Sequence, residues 1–361
     1  MKLTAQVKLS TESGQHSILL KTLEEANSCC DWISGEAFRE KVFSRFSLQK
    51  IVYRRAREVC GLSSQITIRA IAKVCDAYSV NKETRVKFKK FGAFPYDNKN
   101  LSWKTDKKIV SISTINGRLK IPYLCGRRAE QLLQGKRGEA DLCFIRGEFY
   151  LFVSCEVETP DPVDIDGALG VDLGLNNIAV DSDGNFYSGS HIVSIQKRRD
   201  RQRARLQSKG TESAKRVLKR LSGRETRFVK DVNHQISKQL VERAQRTGRA
   251  IALEDLSGIR KRVRASRSQR RRLHAWTFSD LRQKIEYKAR LAGIPLMLVN
   301  PAYTSQTCSC CGHVSPDNRK SQDTFICVKC GFSAHADHNA AINIAGLFAN
   351  QPHVGSQVPL A

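Results

Sequence analysis

The sequence has no apolar run near the roughly 18 residues that a membrane-spanning helix needs, which argues against a helical membrane protein. Met1-Lys2-Leu3-Thr4 does not open a signal-peptide pattern, so the twelve cysteines are expected in a reducing compartment. There, clustered cysteines point to metal rather than to disulfides. No glycine-rich phosphate loop with a Lys-Ser/Thr pair is present, and no G-x-S-x-G elbow. P-loop and serine-hydrolase chemistries therefore have no foothold. Negative charge is scarce: 35 acidic residues stand against 61 Lys and Arg, giving a formal net charge of +26. Such an excess fits a polyanionic partner, most simply nucleic acid, with a membrane surface as the other option. Seven cysteines (Cys29, Cys30, Cys60, Cys75, Cys125, Cys143 and Cys155) lack metal-ligand spacing and read as small buried hydrophobes.

The 361 residues suffice for two or three domains. Leu3 to Leu9 alternates as a strand does. Ser47 to Cys60 and Gln65 to Tyr78 read as helices, the first bearing Lys50, Arg54, Arg55 and Arg57. With Gly61-Leu62-Ser63-Ser64 between them they form either a helix-turn-helix or a bundle with a solvated basic face. Hairpins are expected about Asn116-Gly117 and Arg146-Gly147, and Thr159-Pro160-Asp161-Pro162 marks a domain boundary. Beyond it, Gly170 to Asp181 reads as two short strands about a bend. Ala214 to Gln245 reads as a long helix with an apolar stripe. Ala250 to Leu256 is a buried strand ending in acids, Phe278 to Leu291 a helix, and Ile294 to Val299 a strand. This order resembles the ribonuclease-H-like plan. Two basic runs flank these segments, one including Lys197, Arg198 and Arg199. The other, Arg260 to Arg272, holds eight basic residues in thirteen, among them Arg260, Arg262, Arg264 and Arg267. Both are candidates for nucleic-acid contact, against a solvated face as the plain alternative.

Cys308-x-x-Cys311, fifteen residues, then Cys327-x-x-Cys330 match a four-cysteine zinc ribbon. Four thiolates close a tetrahedral site, so this zinc is structural. Cys310 competes with Cys311, and the two-residue gap favours Cys311. A second constellation is acidic: Asp172, Glu254 and Asp337. An acid in an apolar strand is costly unless paired or metal-bound, although Asp172 could also be an exposed hairpin acid. Asp255 competes with Glu254, and strand alternation favours Glu254. Asp337 could instead be a helix cap. Three converging carboxylates can hold two Mg²⁺ roughly 3.5–4 Å apart for phosphodiester hydrolysis.

Taken in order, Gly170-Val171-Asp172-Leu173-Gly174, Leu253-Glu254-Asp255-Leu256, Tyr303-Thr304-Ser305-Gln306-Thr307-Cys308, Asn318-Arg319-Lys320-Ser321-Gln322, Phe325-x-Cys327-x-x-Cys330-Gly331 and Asp337-His338-Asn339-Ala340-Ala341-x-Asn343-Ile344 resemble the TnpB proteins of bacterial insertion sequences. These are relatives of the compact type V CRISPR effectors. The resemblance covers about Val163 to Leu347 and is weak before that. It implies a multidomain α/β protein. Residues 163–361 would form an RNase H-like (RuvC) nuclease domain with a four-cysteine zinc ribbon inserted at about 301–335 and a disordered tail at 350–361. Residues 1–162 would form a β-barrel wedge domain (1–20 and 80–162) with a helical recognition insert (21–79). It further implies catalytic Asp172, Glu254 and Asp337 with two Mg²⁺, and one zinc. Guide RNA from the transposon end and double-stranded target DNA would be the partners, with one protein per guide. The site of action would be the cytoplasm of a bacterial or archaeal cell, on the nucleoid, with no membrane association. Arg319 would approach the substrate strand. The expected activity is RNA-guided DNA cleavage beside a transposon-adjacent motif. A guided repressor without nuclease activity and a strand-transferring transposase are the alternatives.

Overall fold

The computed structural model describes residues 1–174, 177–188, 190–256, 278–321 and 323–349. The chain divides into two compact units, Met1–Glu158 and Thr159–Ala361, so the expected Pro-rich boundary opens the second unit. Among the described residues no helix is long and apolar enough to cross a membrane.

The first unit opens with β1 (Lys2–Leu9), then α1 (Ser13–Glu40), α2 (Arg45–Cys60) and α3 (Ser64–Val80). After them come β2 (Phe94–Tyr96), β3 (Leu101–Lys104), β4 (Ile109–Thr114), β5 (Gly117–Leu124), α4 (Arg127–Gln134), β6 (Arg137–Ile145) and β7 (Glu148–Glu156). The strands form one seven-stranded sheet in the order β2-β6-β7-β1-β5-β4-β3, antiparallel throughout. Its β6–β7 hairpin turns on Arg146 (φ 55) and Gly147 (φ 85), two left-handed residues that suit a two-residue turn. The expected barrel does not close in hydrogen-bond terms, because β2 and β3 end the ladder. The Tyr96 hydroxyl nonetheless donates to Ser113 O at 3.1 Å, linking β2 to β4.

The helices do not stand apart from this sheet. Leu19, Leu23 and Ile33 of α1, Ile66 and Tyr78 of α3, and Val7, Phe94 and Leu151 of the strands bury into one core. That packing also decides between the two readings of α2 and α3. Ile66, Thr67, Arg69, Ala70, Ile71, Val74 and Tyr78 of α3 are buried. A recognition helix needs a free face for the major groove, so the helix-turn-helix is set aside. The bundle remains, with Lys50, Arg54, Arg55 and Arg57 exposed on α2.

The second unit is built on β8 (Ala168–Asp172), β9 (Asn177–Asp181), β10 (Phe186–Ser188), β11 (Ala250–Glu254) and β12 (Leu296–Val299), in the order β10-β9-β8-β11-β12. The first three run antiparallel, whereas β8, β11 and β12 run parallel. A helical hairpin of α5 (Ser190–Lys209) and α6 (Glu212–Arg246) follows β10, and α7 (Phe278–Leu291) precedes β12. Two short strands, β13 (Thr324–Ile326) and β14 (Ser333–His335), pair antiparallel ahead of α8 (Ala336–Ala349).

Side chains alternate along β8 and β11, and each face has its own cover. Leu169, Val171, Ile251 and Leu253 pack with Ile236 and Leu240 of α6 and with Leu281 and Ile285 of α7. Ala168, Ala250 and Ala252 pack on the other face with Ile344 and Phe348 of α8. Both faces are thus buried, as parallel strands require. Gly170 lies on the α8 face, where a Cβ would stand 2.1 Å from Ala341 O and 2.5 Å from Ala345 N. Only glycine lets the helix lie this close.

Candidate functional site

The alternation that makes the core also gathers the acids. Asp172 continues the series Ala168, Gly170, and Glu254 continues Ala250, Ala252, so both carboxylates fall on the α8 face. The parallel register sets Gly170 against Ala252 and Val171 against Leu253, which brings the two acids to neighbouring strand ends. Asp337, 8 % exposed, is supplied by the first turn of α8. Carboxyl ends of parallel strands are where open α/β sheets place their ligand sites.

Electrostatics report the convergence. Burial, and then the charges of Glu254 and Asp337, push the Asp172 carboxyl up to about 8, while Arg319 pulls it down. Burial also raises Glu254, opposed by a hydrogen bond from Thr304 and by the charge of Arg319. Asn177 Nδ2 donates to Asp337 Oδ2 at 3.0 Å, and Arg319 Nη2 lies 3.6 Å from Asp337 Oδ1. The competing acid, Asp255, is engaged elsewhere, accepting from Arg282 Nη1 at 2.9 Å. An oxygen-only donor set in which burial and then neighbouring negative charge raise one carboxyl suits a hard divalent cation, whose charge would relieve the repulsion. The three carboxylates are less tightly drawn together than the thiols described next.

This stress predicts a measurable cost in the metal-free protein. The folded-state Asp172 carboxyl titrates near 8 against an ordinary 3.8. Between those values the native state binds a proton that the unfolded chain has lost, so stability falls as pH rises and levels off above about 8. Asp172→Asn is therefore expected to stabilise metal-free protein by on the order of 1–3 kcal/mol at pH 7–8, and hardly at all near pH 4. Denaturant unfolding across that pH range checks it. A pH-independent difference would place the stress elsewhere.

The cysteines form a second centre. The Sγ atoms of Cys308, Cys311, Cys327 and Cys330 all lie within 4.8 Å of one another. Cys308 and Cys330 stand 3.7 Å apart, and Cys311 and Cys327 3.6 Å. A tetrahedron with Zn–S bonds of about 2.3 Å has edges of about 3.8 Å, so the cage fits zinc. Cys310 is exposed and lies outside the group. Between the knuckles, Asn318 is fully buried. Its Nδ2 donates to Gln306 O at 2.8 Å and His313 O at 3.1 Å, and its Oδ1 accepts from Val328 N at 3.0 Å. Asn318 thereby ties one knuckle to the other and fixes the backbone beside Arg319.

The basic candidates fare differently. Arg198 is exposed on α5. Arg199 is half-buried and turns onto Phe228, 5.1 Å from the ring centroid. Lys197 belongs to the same helix, but its side chain is outside the described set. Arg260, Arg262, Arg264 and Arg267, and the tail at 350–361, also lie outside the described residues. Sequence reasoning missed Asn177, Thr304, Asn318, Asn339 and Asn343. For all but Asn177, which lies outside the quoted motifs, only their place inside those motifs could have flagged them.

A family model described as "Cas12f1-like, TNB domain" matches residues 278–344, and one described as "Probable transposase" (OrfB_IS605) matches residues 152–258. The CRISPR-associated endodeoxyribonuclease Cas12f1 of Sulfoacidibacillus thermotolerans is 33% identical over 218 residues, 55% of this chain and 50% of that protein. The TnpB-like protein MJ0751 of Methanocaldococcus jannaschii is 32% identical over 209 residues, 54% of this chain and 73% of that protein. A cryo-EM structure of a Cas12f1–sgRNA–target DNA complex shares the fold with a TM-score of 0.67, at 17% identity, over 92% of this chain and 83% of that one. The chain thus spans about half the length of the Cas12f1 relative that it matches.

Proposed function

This chain belongs to the TnpB family, and from that premise we propose that it is a transposon-encoded, RNA-guided, Mg²⁺-dependent DNA endonuclease. What supports the reading is that Asp172 and Glu254 end neighbouring strands on the face covered by α8, and that the charges of Glu254 and of Asp337, on α8, both act on Asp172. The mixed strand order, three antiparallel and then two parallel, supports an RNase H-like, RuvC-type domain. Guide RNA and target DNA are the proposed partners, one protein per guide, and the nucleoid is the proposed site of action. The net charge of +26 suits both polyanions.

Asp172, Glu254 and Asp337 would hold two Mg²⁺. When bound, these ions supply Lewis-acid polarisation of the scissile phosphate and charge stabilisation at the departing 3′ oxygen. The chain's own residues do the rest. Asp172 would serve as a ligand in its ionised form, and Asn177 keeps Asp337 oriented. Cys308, Cys311, Cys327 and Cys330 would hold one zinc, which fixes the loop carrying Arg319. From beside Asp337, Arg319 can fork two hydrogen bonds to a phosphate and offset charge developing in the transition state.

The test is to sequence RNA that copurifies with the protein, then to present DNA complementary to it with Mg²⁺ or with chelator. Cleavage only with Mg²⁺ and only of matched DNA is expected. Binding without cutting would favour the repressor, and joined strands the transposase. Arg319→Ala should slow single-turnover cleavage by about 10²-fold or more, with guided binding and zinc content unchanged. A rate within a factor of a few would make Arg319 a surface residue of the ribbon.

A further inference from the structure

One hydroxyl at the carboxylate site has no part in the function proposed above. Thr304 is 4 % exposed, and its Oγ1 donates to Glu254 Oε1 in a short hydrogen bond. Pro301 O, at 3.0 Å, is the only other acceptor in reach among the described residues. A threonine hydroxyl has one proton, so a charged Glu254 takes it. Glu254 Oε2 has no hydrogen-bond partner among the described residues, which leaves it as the oxygen open to a ligand.

Thr304 is itself held from behind. Asn343 Nδ2 donates to Thr304 O at 2.9 Å and to Thr307 O at 2.7 Å. One turn earlier on α8, the fully buried Asn339 donates to Thr307 O at 2.8 Å and accepts from Ser309 N at 3.0 Å. Both asparagines follow Asp337 on its own helix. Residues 304–309, which run into the first zinc knuckle, are thus pinned to the element that carries the third acid. The preceding residue is bent to suit. Tyr303 has φ 65, a left-handed conformation that is unfavourable for a non-glycine residue. Tyr303 is 65% exposed and contributes little packing. The turn is kept by Tyr303 O, which accepts from Gln306 N and Thr307 N, both at 2.9 Å, and from Thr307 Oγ1 at 2.8 Å. The product of this strained turn is the placement of Thr304.

We infer that Thr304 is a positioning residue: its hydroxyl fixes the Glu254 carboxylate so that the remaining oxygen is presented to a divalent cation shared with Asp172 and Asp337. The inference rests on the proposed metal-dependent nuclease. Outer partners of metal ligands act in this way, and losing one typically lowers metal affinity or activity 10–100-fold. No contact with the nucleic acid is required of Thr304.

The test uses full-length protein with its copurified guide. Thr304→Val keeps the shape and removes the hydroxyl, and Thr304→Ser keeps the hydroxyl. Mn²⁺ affinity is read by calorimetry and Mg²⁺ dependence by single-turnover cleavage, alongside zinc content and melting temperature. Thr304→Val should weaken Mn²⁺ binding by about 10-fold or more and raise half-saturating Mg²⁺ in parallel, with the rate recovering at high Mg²⁺ and zinc unchanged. Thr304→Ser should stay within about threefold of wild type in both. Wild-type metal dependence in Thr304→Val, or equal defects in the valine and serine proteins, overturns the inference. If the valine protein does not fold, Thr304→Ala carries the same comparison. Wild-type protein that binds Mn²⁺ but cuts no guided target would sink the nuclease reading, while the Mn²⁺ titration would still decide the role of Thr304.

Discussion

Alanine at Asp172, Glu254 or Asp337 should each lower single-turnover cleavage by about 10³-fold or more while guided DNA binding stays nearly intact. Each carboxylate comes from a different element, so no neighbour can move in to replace it. Phosphate contacts come mainly from Lys and Arg, which these changes leave in place. Because the three act as one unit, a double substitution should cost little more than a single one. The control is Asp255, whose carboxylate is 44% exposed and paired with Arg282. Asp255→Ala should cut normally. Full cleavage by Glu254→Ala, together with loss in Asp255→Ala, would show that the wrong acid had been placed in the site.

The second large effect concerns zinc. About one zinc per chain is expected, and Cys311→Ser or Cys327→Ser should lose it. Binding to such sites contributes about 10–16 kcal/mol in zinc-finger peptides, so the ribbon should not hold its fold without the ion. Two losses should follow. The knuckles tied by Asn318 come apart, which frees Arg319 from Asp337. The Thr304 stem loses the support of the Cys308 knuckle. Cleavage should therefore fall even though the carboxylates are untouched. Metal analysis by atomic absorption and the melting profile of each variant check this. Cys310→Ser should keep its zinc, and loss there with retention in Cys311→Ser would move the ligand by one residue.

What could be read in advance follows from the range of the interactions. The knuckles are local: two cysteines with two residues between them, and Gly312 and Gly331 behind them, specify a metal site without tertiary help. The hairpins at Asn116-Gly117 and Arg146-Gly147, and the apolar stripe of α6, are local in the same sense. Helix α1 is not legible in its own pattern, in which Thr22, Asn27, Ser34 and Glu36 are buried polar positions; only the family resemblance implies helix there. Those polar groups are satisfied at long range, as where Asn27 Nδ2 donates to Gly92 O at 3.0 Å and Ser34 Oγ to Val86 O at 2.7 Å. No periodicity in the sequence can anticipate such partners. The same holds at the site. Alternation along β11 singled out Glu254, but Thr304 lies fifty residues further on and meets it only in the fold. Arg199 stands in a run that reads as free charge, until α5 folds back on α6 and sets it against Phe228.

The glycine floor under α8 sets an order of events in synthesis. Strand β8, with Gly170 and Asp172, leaves the ribosome long before Ala341 and Ala345 exist to cover it. Until then the nascent chain carries two acids at the edge of an uncovered sheet. It has neither the third acid nor the asparagines that anchor the ribbon stem. On the nuclease reading, a half-made protein can gather nucleic acid through its early basic surfaces but cannot cut it. On that reading the three acids come together only once α8 has docked over Gly170.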